Sequence, residues 1–207
     1  VLYPKYIKTK GKIMLGYTGY VSDEMIKRWA NPKHHNDRPI DVSYRSHRHH
    51  GNYGQLGFIK AYIGELFKHK FAGRNLVLDI STDSSDMIPG NNWYDFVENS
   101  KFCITVNSSN NFLDPYGDIE RSVYEYQKRY PHAHYKDIEQ KCYPGIDGRY
   151  DFTCISPRVM EAALAETVQL AVSGKYNGIL KPMEHYIPLK VDCSNMDEVY
   201  TIMNDKE

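Results

Sequence analysis

The segment 156–161 (SPRVME) combines residue types that suit the binding of a phosphate group. Ser156 is a favourable N-cap and Pro157 a favourable first helical residue, so the pattern predicts a helix start. A helix N-terminus presents free N–H groups and a partial positive charge, and Arg158 adds donors matched to phosphate oxygens. Glu161, one turn further, could accept hydrogen bonds from the two hydroxyls of a ribose. The alternative is an ordinary capped helix with both charged side chains on its surface.

Further candidate residues follow predicted strands. Arg45 comes directly after an apolar run that ends at residue 44, and Ser108 and Ser109 follow one that ends at residue 106. Ligands of open parallel sheets bind beyond the carboxyl ends of the strands, so we expect these side chains to line a ligand crevice. Solvated polar loops are the alternative interpretation for any one of them.

A glycine-rich stretch, 51–57 (GNYGQLG), leads into another predicted helix. Glycines such as Gly54 would let the backbone approach a phosphate closely. The spacing matches neither the dinucleotide-binding pattern G-x-G-x-x-G nor the P-loop, so the stretch alone identifies no ligand.

His47, His49 and His50 lie close to Arg45 in the chain and could bind a metal, contact phosphate or act as acid or base. Their spacing is not i, i+4 and no carboxylate lies nearby, so we expect no metal and no cofactor. The sequence contains no D-x-D, which disfavours a transferase that holds its sugar nucleotide through a divalent ion. The absence of G-x-S-x-G disfavours an α/β-hydrolase.

The elements that position these residues alternate between strands and helices. Short apolar runs predict strands at 40–44, 76–80, 102–106, 169–172 and 186–189, with 12–17 as a further candidate. Apolar stripes predict helices at 55–70, 118–130 and 157–165, and a capping box at 194–197 predicts a final helix. This alternation predicts an α/β doubly wound domain with a mostly parallel sheet.

We expect residues 1–38 to lead into this domain and residues 39–207 to form it. The polar stretch 107–155 is too long for a simple connection and contains a striped helix, so we expect a folded insertion near one edge of the sheet.

The composition excludes several classes of function. The chain has 26 Lys and Arg against 26 Asp and Glu, so a net charge near zero gives no electrostatic reason to expect nucleic acid or a membrane surface as partner. No apolar stretch approaches the length of a membrane span, and no signal peptide is recognisable. The four cysteines are scattered without a C-x-x-C pair, which favours a reducing, cytoplasmic location.

The run 155–189 (ISPRVMEAALAETVQLAVSGKYNGILKPMEHYIPL) resembles the C-terminal donor-binding half of GT-B glycosyltransferases. It is most similar to the bacterial group-1-like branch related to spore-maturation and surface-polysaccharide transferases. The shared pattern is Arg-x-x-Glu-Ala, small residues, a short strand, His-Tyr-Ile-Pro and a terminal helix. Segments 41–45, 78–81 and 93–102 and the glycine-rich helix start also resemble that branch, so the similarity covers most of the chain from about residue 39.

The resemblance implies the Rossmann-like half of a GT-B fold and a metal-independent transfer of sugar from a nucleoside-diphosphate sugar to an acceptor hydroxyl. A UDP-sugar is the favoured donor, a glycan is a candidate acceptor, and polysaccharide biosynthesis is the implied process. Glu161 matches the Glu that holds the ribose hydroxyls in related enzymes. Arg158 and the amides opening its helix match the diphosphate site, and Arg45 is a candidate second phosphate contact.

In such enzymes a separate N-terminal domain carries the acceptor site, so the resemblance assigns no catalytic residue here and implies only part of the full enzyme. Thr153 stands where many relatives carry a second Glu, and 166–168 (ETV) replaces a turn of small residues. One alternative is a non-catalytic nucleotide-sugar-binding or interaction domain of the same fold. Another is a different α/β enzyme that uses a nucleotide or phosphate.

Overall fold

The computed structural model describes residues 16–108, 110 and 112–205, and its central feature is a five-stranded sheet. The strands are β1 (Ile40–Arg45), β2 (Leu78–Ser81), β3 (Ser100–Thr105), β4 (Val168–Val172) and β5 (Ile187–Leu189). Their order is β2-β1-β3-β4-β5, and every neighbouring pair is parallel. The predicted α/β doubly wound fold is confirmed, and its strand order is one of the two common in such sheets.

The five predicted strands all form, since short apolar runs suit a sheet covered on both faces. Val42 of β1 pairs with Leu78 on one side and Phe102 on the other, which places β1 and β3 in the interior of the sheet. The candidate strand at 12–17 falls mostly outside the described residues. Gly16 and Tyr17, its last two residues, are not in a strand.

Seven α-helices occur in the described part of the chain. They are α1 (Asp23–Arg28), α2 (Gly54–Phe71), α3 (Asn91–Glu98), α4 (Asp118–Arg129), α5 (Tyr135–Cys142), α6 (Pro157–Leu164) and α7 (Met196–Met203). The apolar stripes predicted α2, α4 and α6, and the stripe together with the proposed capping box predicted α7. The short helices α1, α3 and α5 were not predicted. None of these helices is long and apolar enough to cross a membrane.

The helices cover the two faces of the sheet with separate cores. On one face, Ile63 and Phe67 of α2 and Val199 of α7 are fully buried against the strands. On the other face, Val97 of α3 and Ala162 of α6 pack together with residues of the α1 region. The connections from β1 to β2 and from β2 to β3 therefore run on opposite faces.

The predicted capping box at the start of α7 is wrong. The N-cap is Asn195, whose side chain makes no capping hydrogen bond. Its amide instead accepts from the backbone N–H of Lys190 and donates to the carbonyl of Pro188, because the preceding turn folds back on β5. Asp197, the other member of the predicted box, pairs with Arg74.

The insertion at 107–155 is folded, as the sequence indicated. Ser108 and Cys154 close its two ends through a pair of backbone hydrogen bonds of 3.0 and 3.1 Å. Helices α4 and α5 share a small core that includes Val123, Ile138 and Tyr143. The insertion leaves from β3, the middle strand, so it lies at the carboxyl end of the sheet rather than beside an outer strand.

Arg38 joins the segment before β1 to the rest of the domain. It is 2% exposed, and its guanidinium donates five hydrogen bonds. The acceptors are the carbonyls of Lys33, Ser100 and Ala165 and the hydroxyl of Thr167. Burial lowers the pKa of Arg38, so the charge is held in the interior by hydrogen bonds to neutral oxygens.

We expect Arg38→Lys to lower the free energy of unfolding by about 2–5 kcal/mol, because an ammonium cannot reproduce the planar fork and leaves buried acceptors unpaired. Urea denaturation measures the change. Arg149→Lys, at an exposed position, is the matched control and should change stability by less than about 0.5 kcal/mol. Equal losses in the two variants would contradict the assigned role of Arg38.

Candidate functional site

A cavity of about 240 Å³ opens at the carboxyl ends of β1 and β3. Since the chain leaves β1 on one face of the sheet and reaches β3 on the other, this is the topological switch point where ligands of doubly wound domains bind. The polar residues that line the cavity include Ser46, His49, Lys60, Ser108, Ser156 and Arg158. We call it the switch-point cavity.

Helix α6 begins at the wall of the switch-point cavity. Ser156 occupies the N-cap position with an extended backbone, and Pro157 is the first helical residue, as predicted. The Ser156 hydroxyl makes no capping hydrogen bond with the helix. The opening amides of α6 are therefore not capped by that side chain, and a helix end in this state suits an anion.

Two cations converge on the switch-point cavity from opposite sides. Arg158 comes from α6, where its guanidinium lies 4.5 Å from the Trp93 ring centroid and donates to the carbonyl of Arg45. Lys60 comes from α2, and burial, followed by the charge of Arg158, lowers its pKa. Neither cation forms an ion pair with a described residue, and no described Asp or Glu lines the cavity. The cavity is therefore electropositive.

Two histidines complete this wall of the cavity. The rings of His47 and His49 are 4.2 Å apart, and His49 also contacts Tyr53 at 4.6 Å. Burial, with smaller contributions from His47 and Lys60, lowers the pKa of His49 from 6.5 to about 4. His49 is therefore neutral at neutral pH. Among the described residues, no group of three His, Cys, Asp or Glu is arranged to hold a metal ion.

Glu161 lies outside the switch-point cavity. Its carboxylate accepts a hydrogen bond of 2.6 Å from the indole N–H of Trp93, on α3. Arg158 stacks on the same indole ring. Trp93 therefore lies between Arg158 and Glu161, which the sequence analysis predicted to contact one ligand. In this arrangement the carboxylate of Glu161 positions Trp93, and the structure does not bring it to the cavity.

Arg45 also lies outside the cavity. Its guanidinium donates to the carbonyls of Asp86, Tyr44 and Asp79 and to the Asp79 carboxylate at 2.7 Å, and it covers the ring of Phe96. These bonds tie the end of β1 to β2. Because its charge is paired and nearly all its donors are used, the structure gives Arg45 a structural role.

Gly54 begins α2 with a positive φ of 64°, at the far side of the insertion. The carboxylate of Asp147 accepts from the backbone N–H of Gln55 at 2.6 Å, and a Cβ on Gly54 would lie 2.7 Å from that carboxylate. An internal anion thus occupies the helix end where the glycine-rich stretch suggested a phosphate. Of the two predicted serines, Ser108 lines the switch-point cavity and Ser109 lies outside the described residues.

Lys60 is the residue of the site that sequence reasoning missed. It belongs to no motif and lies within an amphipathic helix, where a lysine usually faces solvent. One signal was present in the sequence. A helix that follows a strand of a parallel sheet begins at the carboxyl edge of that sheet, and Lys60 lies in the first two turns of such a helix, four residues after Leu56.

Comparison with protein-family models, with curated proteins and with solved structures found no match to this chain. The glycosyltransferase resemblance therefore stays a hypothesis. What is shown is the α/β doubly wound fold, and the switch-point cavity is the site on which a function can be proposed.

We expect acid to destabilise the protein through His49. Its ordinary pKa is 6.5 and its pKa in the fold is about 4, so the unfolded chain takes up a proton first as the pH falls. Stability is therefore lost between about pH 6.5 and about pH 4 and the loss levels off below. His49→Gln should show a smaller fall in Tm than the parent between about pH 7 and about pH 5.

His132→Gln, at an exposed position, is the matched control and should follow the parent's pH curve. If His49→Gln also follows the parent's curve, the half-buried, neutral state assigned to His49 is wrong.

Proposed function

We propose that this domain binds the diphosphate of a nucleoside-diphosphate sugar in the switch-point cavity, as the donor-binding part of a glycosyltransferase. The observation that carries the proposal is the pair of cations, Lys60 and Arg158, which face one cavity without an ion-pair partner among the described residues. Lys60 is half-buried and Arg158 is exposed at the mouth of the same cavity. Like charges that face one cavity repel each other, and a diphosphate would remove that repulsion.

The chemistry of glycosyl transfer fits such a cavity. When an acceptor hydroxyl attacks the anomeric carbon, the bond from that carbon to the diphosphate breaks and negative charge develops on the departing oxygen. Arg158, Lys60 and the opening amides of α6 would stabilise that charge, in the role that a divalent ion has in other transferases. The hydroxyls of Ser108 and Ser156 add donors at the same wall.

Other parts of the proposal rest on the resemblance alone. They are the UDP-sugar as favoured donor, a glycan as acceptor, an N-terminal acceptor-binding domain, and a cytoplasmic role in bacterial polysaccharide synthesis. Contact between Glu161 and a ribose belongs with them, and it would require the Glu161 carboxylate to release Trp93.

A non-catalytic nucleotide-sugar-binding domain is the second candidate. It is favoured by the departures of this chain from the pattern of the resembled branch, at Thr153 and at 166–168. Thr153, at the position where many relatives of the resembled branch carry a Glu, bonds to Asp151 of the insertion. Transfer or hydrolysis of the donor by the full-length protein would separate the two candidates, since a binding domain gives neither.

We expect UDP in EDTA to raise the Tm. A ligand at 100 times its Kd stabilises by about 2.7 kcal/mol, which corresponds to roughly 5–10 °C for a domain of this size. Arg158→Ala should weaken UDP binding about 10- to 150-fold, because a charge-assisted hydrogen bond is lost, with little change in the Tm of the free protein. Lys60→Met, which keeps the apolar stem, should weaken binding in the same direction.

Arg121→Ala is the matched control, since Arg121 lies on α4 in an exposed pair with Asp118. It should bind UDP as the parent does. A panel of nucleoside diphosphates that gives no shift, or a shift only with added metal, would contradict the proposed function.

A further inference from the structure

We infer that a second cavity beside the diphosphate site receives the base of the nucleotide, and that Asn107 hydrogen-bonds to it. This inference rests on the proposed function. It adds the identity of the base, which we take to be a single-ring pyrimidine such as uracil.

The second cavity, of about 250 Å³, lies at the carboxyl ends of β3, β4 and β5. We call it the apolar cavity, because Leu56, Ile59, Val106, Val172 and Val191 supply most of its walls. Ser173 and Lys190 stand at its exposed rim.

Asn107 is the polar side chain within these walls. It is 8% exposed, and its amide oxygen is buried without a hydrogen-bond partner among the described residues. A Cβ at Gly174 would collide with the amide nitrogen of Asn107, so glycine at that position makes room for the amide. A buried oxygen without a hydrogen-bond partner is costly. Rotation about χ2 by 180° exchanges the amide oxygen with the amide nitrogen, so a ligand that donates a hydrogen bond could satisfy it.

The chemistry of the apolar cavity favours a base over a sugar. A sugar carries hydroxyls around its whole ring, and aliphatic walls would leave most of them unpaired. A nucleobase has two apolar faces and one polar edge, and uracil presents an N–H beside a carbonyl on that edge. The cavity, of about 250 Å³, has room for one base. We assign uracil because a UDP-sugar is the favoured donor of the proposed function.

One residue lines both cavities. Val106, just after β3, belongs to both linings, while Asn107 lines the apolar cavity and Ser108 the switch-point cavity. The inference therefore places the nucleotide across Val106, with its diphosphate at Arg158 and Lys60 and its base at Asn107.

The first variant is Asn107→Leu, which keeps the volume and removes the hydrogen bonds. We expect UDP to bind at least about tenfold more weakly while inorganic pyrophosphate, which has no base, binds as before. The Tm of the free variant should stay equal to that of the parent or rise, because an unpaired buried amide is replaced by an apolar group. A residue that served only the fold would instead lower the Tm when replaced.

The second variant, Val191→Phe, fills the rim of the apolar cavity from a position that is 38% exposed. It should also weaken UDP binding without affecting pyrophosphate. Val77→Phe is its matched control, since Val77 is 56% exposed next to β2 and lines neither cavity. Isothermal titration calorimetry in EDTA with UDP, GDP and pyrophosphate measures all the affinities.

The inference requires that the parent bind UDP more tightly than GDP and pyrophosphate, and that both variants lose this preference. If the parent binds UDP and pyrophosphate equally, or if both variants bind UDP like the parent, the base site is wrong while the diphosphate site stands. If the parent binds neither UDP nor pyrophosphate, the proposed function fails and the base site with it.

Discussion

Two cations without ion-pair partners among the described residues repel each other across the switch-point cavity. Arg158 and Lys60 approach one cavity from helices on opposite faces of the sheet, and the partial burial of Lys60 raises the free energy of its charged form. A half-buried charge such as that of Lys60 is costly unless it is paired, and no described carboxylate lines the cavity. We propose that an anion from outside relieves this cost.

The same domain neutralises its other anion-binding features with its own carboxylates. Asp79 pairs with Arg45 at the end of β1, and Asp147 from the insertion accepts from the first turn of α2. Helix α6 differs, since the Ser156 side chain does not cap it and Arg158 in its first turn has no ion-pair partner among the described residues. The difference between the starts of α2 and α6 identifies the switch-point cavity as the candidate site. Neither the glycine-rich stretch nor the position of Arg45 in the sequence identifies it.

The sequence predicted the fold well because apolar runs and apolar stripes report burial directly. The five strands and helices α2, α4, α6 and α7 follow from that pattern. Helices α3 and α5 were missed although each has an apolar face as clear as that of α6, because a stripe of only two turns is easily read as part of a loop. The site was predicted only in part, because a sequence does not show which polar groups will find internal partners. Arg45, Gly54 and Glu161 carry suitable chemistry, and each is engaged by a residue distant in the chain: Asp79, Asp147 and Trp93. Lys60 was missed for the converse reason, since its helix looks like an ordinary amphipathic one.

A crystal structure of the domain soaked with UDP in EDTA would show which side chains hold the diphosphate. We predict a diphosphate within hydrogen-bond distance of the Arg158 guanidinium, the Lys60 ammonium and the opening amides of α6. A diphosphate bound at the start of α2 or elsewhere on the surface, with Arg158 and Lys60 making no contact to it, would contradict the proposed site.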